Sequence, residues 1–230
     1  MLKIEAIHTY YGDSYVLQGI NIELKLNLVV SILGRNGMGK TTLIRSVIGF
    51  NHPRRGKIYY RDVDITQMKP ALISRHGIGL VPQGRQIFSS LTAEENLRIA
   101  FRGGTGRWNL EKVYEVFPPL EKRKRSYGNQ LSGGEQQMLA IGRSLMTNPS
   151  LLLMDEPTEG LAPIYVEAVG KIIRDLQSSG LSILLVEQRA GFAIKYSDFI
   201  HIMSKGKIVH SATSQEIFNK TEVWERYLVV

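Results

Sequence analysis

One short stretch constrains the fold of this chain more than any other. From Leu28 to Leu33 the residues LVVSIL are apolar and β-branched, as in a strand buried on both faces. They run into G-x-x-x-x-G-K-T from Gly34 to Thr41, then into a helix-like apolar run. Strand, glycine-rich turn and helix are the first half of a βαβ unit, so a parallel sheet covered by helices is expected.

The turn also carries chemistry. Gly34, Gly37 and Gly39 tolerate positive φ and a close backbone approach, so successive N–H groups can point inward as an anion nest. The following helix adds its positive end. Lys40 supplies a full charge for outer phosphates, and Thr41 a hydroxyl for Mg²⁺. A nucleoside triphosphate site with magnesium is the expected use.

The rest of the chain supplies the sheet. GINIELKL alternates Ile20, Ile22, Leu24 and Leu26 with polar residues, the period of a half-buried strand. GKIYYRDVDI reads as two strand halves around Arg61-Asp62, and GIGLVPQ as a buried strand ending at a proline. LLLMD and ILLVEQ are two further buried strands joined by a helix around Glu167–Leu176. FIHIMSKGKIVHSA is a hairpin turning at Lys205-Gly206, and Ser214 is expected to cap a last helix with Ile217 and Phe218. Between these, residues 91–146 read as a helical insert. Thr92 and Glu95 have capping-box spacing, GGTGR (Gly103–Arg107) is a flexible loop, and Pro118-Pro119 ends the helix from Leu110 to Phe117.

Asp155 and Glu156 end a buried strand. Ligands of open parallel sheets sit at the carboxyl ends of strands, which brings both acids toward the phosphate loop. Asp155 suits magnesium held through water, and Glu156 suits a general base on the attacking water. A second glycine cluster, LSGGEQQ (Leu131–Gln137), opens another helix with Ser132 as N-cap and Glu135 completing a capping box. A cap does not need Gly133 and Gly134, so this is a second anion site by its chemistry. One nucleotide does not need two cradles; a dimer in which this element closes over the partner's nucleotide resolves the excess.

Composition excludes several classes. With 230 residues and 43% apolar content, one domain over 1–230 is expected. The absence of cysteine rules out disulfide and thiolate chemistry. The N-terminus has no secretory apolar core, and no apolar run approaches the roughly 20 residues of a membrane span. A net charge of +8 fits nucleic acid, anionic lipid or phosphorylated ligands. The dense basic run EKRKR (Glu121–Arg125) reads as a solvated face, with contact to a membrane surface or acidic partner as the alternative.

Together GRNGMGKTT, LSGGEQQ and LLLMDEP, in this order, resemble an ABC-type ATPase domain over nearly the whole chain. The resemblance implies the α/β P-loop NTPase fold of that family: a mostly parallel core sheet, an antiparallel β subdomain and a helical subdomain. It implies ATP and Mg²⁺, and a head-to-tail dimer with two ATP molecules between subunits. Tyr11, before Gly12, resembles the aromatic that stacks on adenine. Asn36, Gly37, Met38, Gly39, Lys40, Thr41 and Thr42 resemble the phosphate clamp. Gln83 resembles the glutamine that senses magnesium, which Thr41 and Asp155 also hold, and that touches the membrane partner. Ser132, Gly133, Gly134 and Glu135 resemble the signature facing the opposite ATP, and Glu156 the catalytic carboxylate. Two positions depart from the pattern. Ala162 in TEGLAP stands where many members have Asp, and Gln188 where many have a catalytic-switch histidine. Gln188 is carried over as a catalytic position that can bond a phosphate but carries no charge.

The phrases VPQGRQIF, LTAEENL, TEGLAP and LLVEQ resemble ATPase subunits of branched-chain amino acid importers, with urea and short-amide importers as near relatives. The partners so implied are a second ATPase subunit, identical or different, and two transmembrane permease subunits. A periplasmic or extracellular solute-binding protein would act indirectly. The implied location is the cytoplasmic face of the cell (inner) membrane, as a peripheral subunit. A rival reading is a soluble ABC-type ATPase on nucleic acid or ribosomes. It lacks here the long coiled-coil insert or second ATPase domain of such members, and no nucleic-acid partner is expected. A scaffold that binds ATP without turnover is opposed by Glu156.

Overall fold

A computed structural model of the chain describes residues 1–101, 103 and 106–219; part of the GGTGR loop and the tail from residue 220 lie outside them. Strands β1 (Leu2–Tyr11) and β2 (Ser14–Leu24) form a hairpin, followed by β3 (Val29–Leu33) and helix α1 (Lys40–Val47). Next come β4 (Arg55–Tyr60), β5 (Val63–Asp64), α2 (Pro70–Arg75) and β6 (Ile78–Val81). Helices α3 (Ala93–Arg98), α4 (Leu110–Val116), α5 (Pro118–Lys122) and α6 (Gly133–Leu145) precede β7 (Leu151–Asp155), α7 (Pro163–Ser178) and β8 (Ser182–Glu187). Helix α8 (Ala190–Tyr196), the β9 (Phe199–Ser204) and β10 (Lys207–Thr213) hairpin, and α9 (Ser214–Asn219) end the described chain.

Two sheets result. One is antiparallel, in the order β2-β1-β4-β5; the other has the order β10-β9-β3-β8-β7-β6. In the second, β9, β3, β8, β7 and β6 run parallel and β10 antiparallel. Its central strands are apolar on consecutive residues because both faces are covered. Leu152, Met154, Ile183 and Leu185 face a core shared with the helices α3–α8, including Leu97, Phe117, Leu139 and Ile173. Leu151, Leu153, Leu184 and Val186 face the core built with α1 and the antiparallel sheet.

Turn chemistry follows the sequence closely. Arg61-Asp62 and Lys205-Gly206 all adopt positive φ, as two-residue hairpin turns require. Thr92 and Glu95 close the capping box of α3. Two expectations are corrected and one is extended. The strand expected through Leu26 stops at Leu24, and Leu26 is 63% exposed in a turn completed by Asn27 at φ 58°. Pro118 also starts α5 as its first residue, where the missing N–H costs nothing. The last helix is capped by Thr213, whose hydroxyl accepts from the Glu216 N–H while its own N–H and hydroxyl bond the Glu216 carboxylate. The Ser214 hydroxyl instead donates to the Ser197 carbonyl.

Because the strands are parallel, the segments after β3, β6, β7 and β8 emerge at one edge. These carry the phosphate-type loop, Gln83, the acidic pair and Gln188. The strands bearing the loop and the acidic pair are not neighbours; β8 lies between them.

Candidate functional site

The loop after β3 owes its shape to Gly37 at φ 78° and Gly39 at φ 102°, a region that disfavours side chains. Gly39 is the N-cap of α1, and no side chain caps this helix; its first turn holds no acid. Helices α3, α4 and α6 are capped by Thr92, Asn109 and Ser132. The start of α1 is thus left with backbone N–H groups that need an acceptor.

Lys40 curls back over the loop. Its ammonium donates to the Arg35 carbonyl at 3.0 Å and lies 2.9 Å from Glu156 Oε1, both side chains being almost fully buried. The Thr41 hydroxyl donates to Asp155 Oδ1 at 3.3 Å. Burial pushes the Asp155 carboxyl up to about 6, and the nearby Glu156 charge acts in the same direction against the Thr41 hydrogen bond. Glu156 sits at φ 48°, an uncommon left-handed conformation for a side-chain-bearing residue, with its N–H bonded to the Val186 carbonyl at 2.9 Å.

Two clefts open here. One of about 330 Å³ is lined by Val16, Asn36, Gly37, Gly39, Lys40, Thr41, Thr42, Gln83 and Glu156. The other, about 770 Å³, is bounded by Tyr11, Thr41, Arg45, Phe50, Gln83 and Asp155, among others. Thr41 and Gln83 line both. Tyr11, 42% exposed, offers a ring to the larger cleft. The Gln83 amide donates to Glu159 Oε2 at 3.0 Å. Met38 differs from its loop neighbours: its carbonyl and sulfur accept from the Gly206 and Lys205 N–H groups, so it anchors the β9–β10 turn.

The oxygen donors fit a hard divalent cation. Asp155 is a buried carboxylate in no ion pair among the described residues, beside a hydroxyl. No cluster of three or more His, Cys, Asp or Glu side chains suited to a metal occurs among the described residues. A cation at Thr41 and Asp155 would take its remaining ligands from water or phosphate, which is the habit of Mg²⁺.

Residues 132–135 line neither cleft. Ser132 accepts from the Glu135 N–H, and the Glu135 carboxylate accepts from the Ser132 N–H, so Glu135 is committed to the cap. The glycines have a reason inside this chain that spacing did not reveal. A Cβ on Gly134 would stand 2.2 Å from the Tyr165 ring of α7, and one on Gly133 2.8 Å from the Arg85 guanidinium. Arg85, unforeseen from the sequence, also donates to the Gly160 carbonyl at 3.2 Å. Its signal is the run Gly84, Arg85, Gln86, all at positive φ. The Gln188 side chain is exposed and lines neither cleft; its N–H donates to the Glu187 carboxylate. Ala162 is the N-cap of α7 and offers no side-chain acceptor.

Comparison with known proteins adds the following. Residues 17–159 match the family model described as ABC transporter. The chain is 38% identical over 234 residues to the high-affinity branched-chain amino acid transport ATP-binding protein BraG of Pseudomonas aeruginosa, covering 99% of both. The crystal structure of a nucleotide-free ATP-binding cassette from an ABC transporter superposes with a TM-score of 0.86 at 29% identity, over 97% of this chain and 95% of that one. A dimeric post-hydrolysis state of the ATP-binding cassette MJ0796 bound to ADP and Pi superposes with a TM-score of 0.81 at 25% identity, over 93% and 99%.

Proposed function

The chain belongs to the ABC transporter family as one of its ATP-binding subunits, and from that premise we propose that it powers import of branched-chain or other hydrophobic amino acids. The meeting of the two sequence motifs carries the catalytic part of this reading: Lys40 lies 2.9 Å from Glu156, and Thr41 3.3 Å from Asp155. The substrate class rests on the 38% identity to BraG.

In this reading the N–H groups of residues 36–42 and the uncapped start of α1 bind the β- and γ-phosphates, with the Lys40 ammonium on the outer oxygens. The Tyr11 ring stacks on the base. Thr41 and Asp155 would hold Mg²⁺, with Gln83 beside them, and the ion would supply Lewis-acid neutralisation of phosphate charge. Glu156 orients the attacking water and accepts its proton. Lys40, paired with Glu156, exchanges that carboxylate for phosphate oxygens, which leaves Glu156 to the water. Ser132, Gly133 and the start of α6 complete the site of a second ATPase subunit, identical or different, in a head-to-tail pair. Their location outside both clefts supports this.

ATP binds the closed pair better than ADP does, and this difference drives closure and reopening. Residues 91–146 form the subdomain that grips the permease, with Gln83 reporting nucleotide state to it. No helix among the described residues is long and apolar enough to cross a membrane. Membrane attachment at the cytoplasmic face is therefore proposed through permease subunits.

The test is Glu156→Gln. ATP binding persists, turnover is lost, and an ATP-bound dimer accumulates on size exclusion. A variant that stays monomeric at saturating ATP, or keeps turning over, overturns the assignment.

A further inference from the structure

Glu187 ends β8, the strand between the phosphate-loop strand and the acidic-pair strand. It is 1% exposed, yet no cation pairs with it among the described residues. Burying an unpaired carboxylate is costly unless hydrogen bonds hold it. Four donors do. Oε1 accepts from the Thr158 hydroxyl at 2.7 Å and the Thr158 N–H at 3.3 Å. Oε2 accepts from the N–H groups of Gln188 at 3.1 Å and Arg189 at 3.3 Å. Its carbonyl accepts from the Gly34 N–H, the first residue of the phosphate loop, at 3.3 Å. Burial pushes this carboxyl up, against the pull of the same hydrogen bonds.

Three loops therefore meet on one residue. The one carrying Glu156 needs an anchor most, because Glu156 is held in a left-handed conformation that persists only where its surroundings enforce it. One fixing point is the Val186 carbonyl, just before Glu187. The other is Thr158, two residues after Glu156, clamped to the Glu187 carboxylate. We propose that Glu187 is the positioning residue of this site, setting the Glu156 carboxylate over the phosphate loop and joining the loops at Glu156 and Gln188. This rests on the reading of Glu156 as general base. It assigns to Glu187 the joining of these loops, for which the Gln188 side chain, exposed and outside both clefts, is not placed.

Glu187→Gln tests it in the full chain. An amide keeps one acceptor oxygen, so either orientation loses the partner of Thr158 or of the Gln188 and Arg189 N–H groups. Turnover is expected to fall roughly ten- to a hundredfold through misplacement of the base, with KM for ATP within about twofold. Amide exchange should accelerate on the side that faces the new NH2, at Thr158 or at Gln188 and Arg189, while the interiors of β7 and β8 stay protected. Thr158→Val should lower kcat in the same manner, and Thr158→Ser, which keeps the hydroxyl, should retain it. Unchanged kcat, or exchange unchanged both at Thr158 and at Gln188 and Arg189, overturns the proposal. So does a joint fall of kcat, ATP affinity and thermal stability, which marks general loosening. Glu156→Gln separates this from the underlying reading: if that variant keeps turning over, the general-base reading itself fails, whereas its loss of turnover beside an inert Glu187→Gln fails the positioning role alone.

Discussion

Gly133 and Gly134 are adjacent in the first turn of α6, and alanine should act on them very unequally. At either site alanine lowers the unfolded chain's freedom and favours helix, by up to about 1 kcal/mol in a helix interior and less in a first turn. At Gly133 the new Cβ meets the end of the Arg85 side chain at 2.8 Å. That tip can swing away, at the cost of an exposed hydrogen bond to Gly160 whose net value is about 1 kcal/mol or less. The two effects nearly cancel. At Gly134 the Cβ would lie 2.2–2.4 Å from three atoms of the Tyr165 ring, which is packed against the helical core. Relief requires a rotamer change or a shift of α7, and overpacking of this kind costs about 1–3 kcal/mol. Gly134→Ala should therefore lose about 1–2 kcal/mol net, a fall in Tm of about 5 °C for a chain of this size. Gly133→Ala should stay within about 2 °C. Thermal melts of both variants, and of Gly134→Ala in a Tyr165→Ala background, decide the matter. In that background the ring is gone and the alanine should become neutral or favourable. Equal shifts for the two single variants, or a Gly134→Ala penalty that survives Tyr165→Ala, refute the packing argument.

Other expectations concern charges and caps. Lys40→Ala leaves Glu156 as a buried anion without its cation, and should cost about 3 kcal/mol in ligand-free melts; adding Glu156→Gln should recover most of that stability without restoring turnover. Ala162→Asp supplies α7 with the side-chain acceptor it lacks and should add about 1 kcal/mol, or about 3 °C in Tm. His201 is buried against Phe199, and burial lowers its pKa from 6.5 to about 4. The unfolded chain then binds the proton first, so this contribution is intact above pH 6.5 and is lost as the pH falls toward 4, by about 3 kcal/mol in all. His201→Gln should flatten the decline of Tm between pH 7 and 4, and an unchanged slope would count against the burial argument.

Much of the site was legible because its chemistry is local. The φ values of Gly37 and Gly39, the cap of α3 and the hairpin turns at 61–62 and 205–206 follow from residues next to one another in sequence. Buried strands announce themselves by unbroken apolar runs, and the rule that ligands sit at carboxyl ends brought Asp155 and Glu156 toward Lys40. The ends of elements were less legible where two neighbouring residues could serve. Thr213 and Ser214 are both good caps; Glu216 at capping-box spacing already favours Thr213 in the sequence, and the structure adds that the Ser197 carbonyl takes the Ser214 hydroxyl.

What the sequence determined by itself was therefore the kinds of groups present and the turns that hold them. It could not order the strands, because parallel strands are joined by crossovers whose return position depends on packing. The insertion of β8 between β3 and β7 is such a decision, and it makes Glu187 the neighbour of both motifs. Nor could spacing tell why Gly134 lacks a side chain, since the Tyr165 ring that excludes one comes from another helix. Contacts between residues far apart in the chain exist only once the two faces of the sheet have been covered.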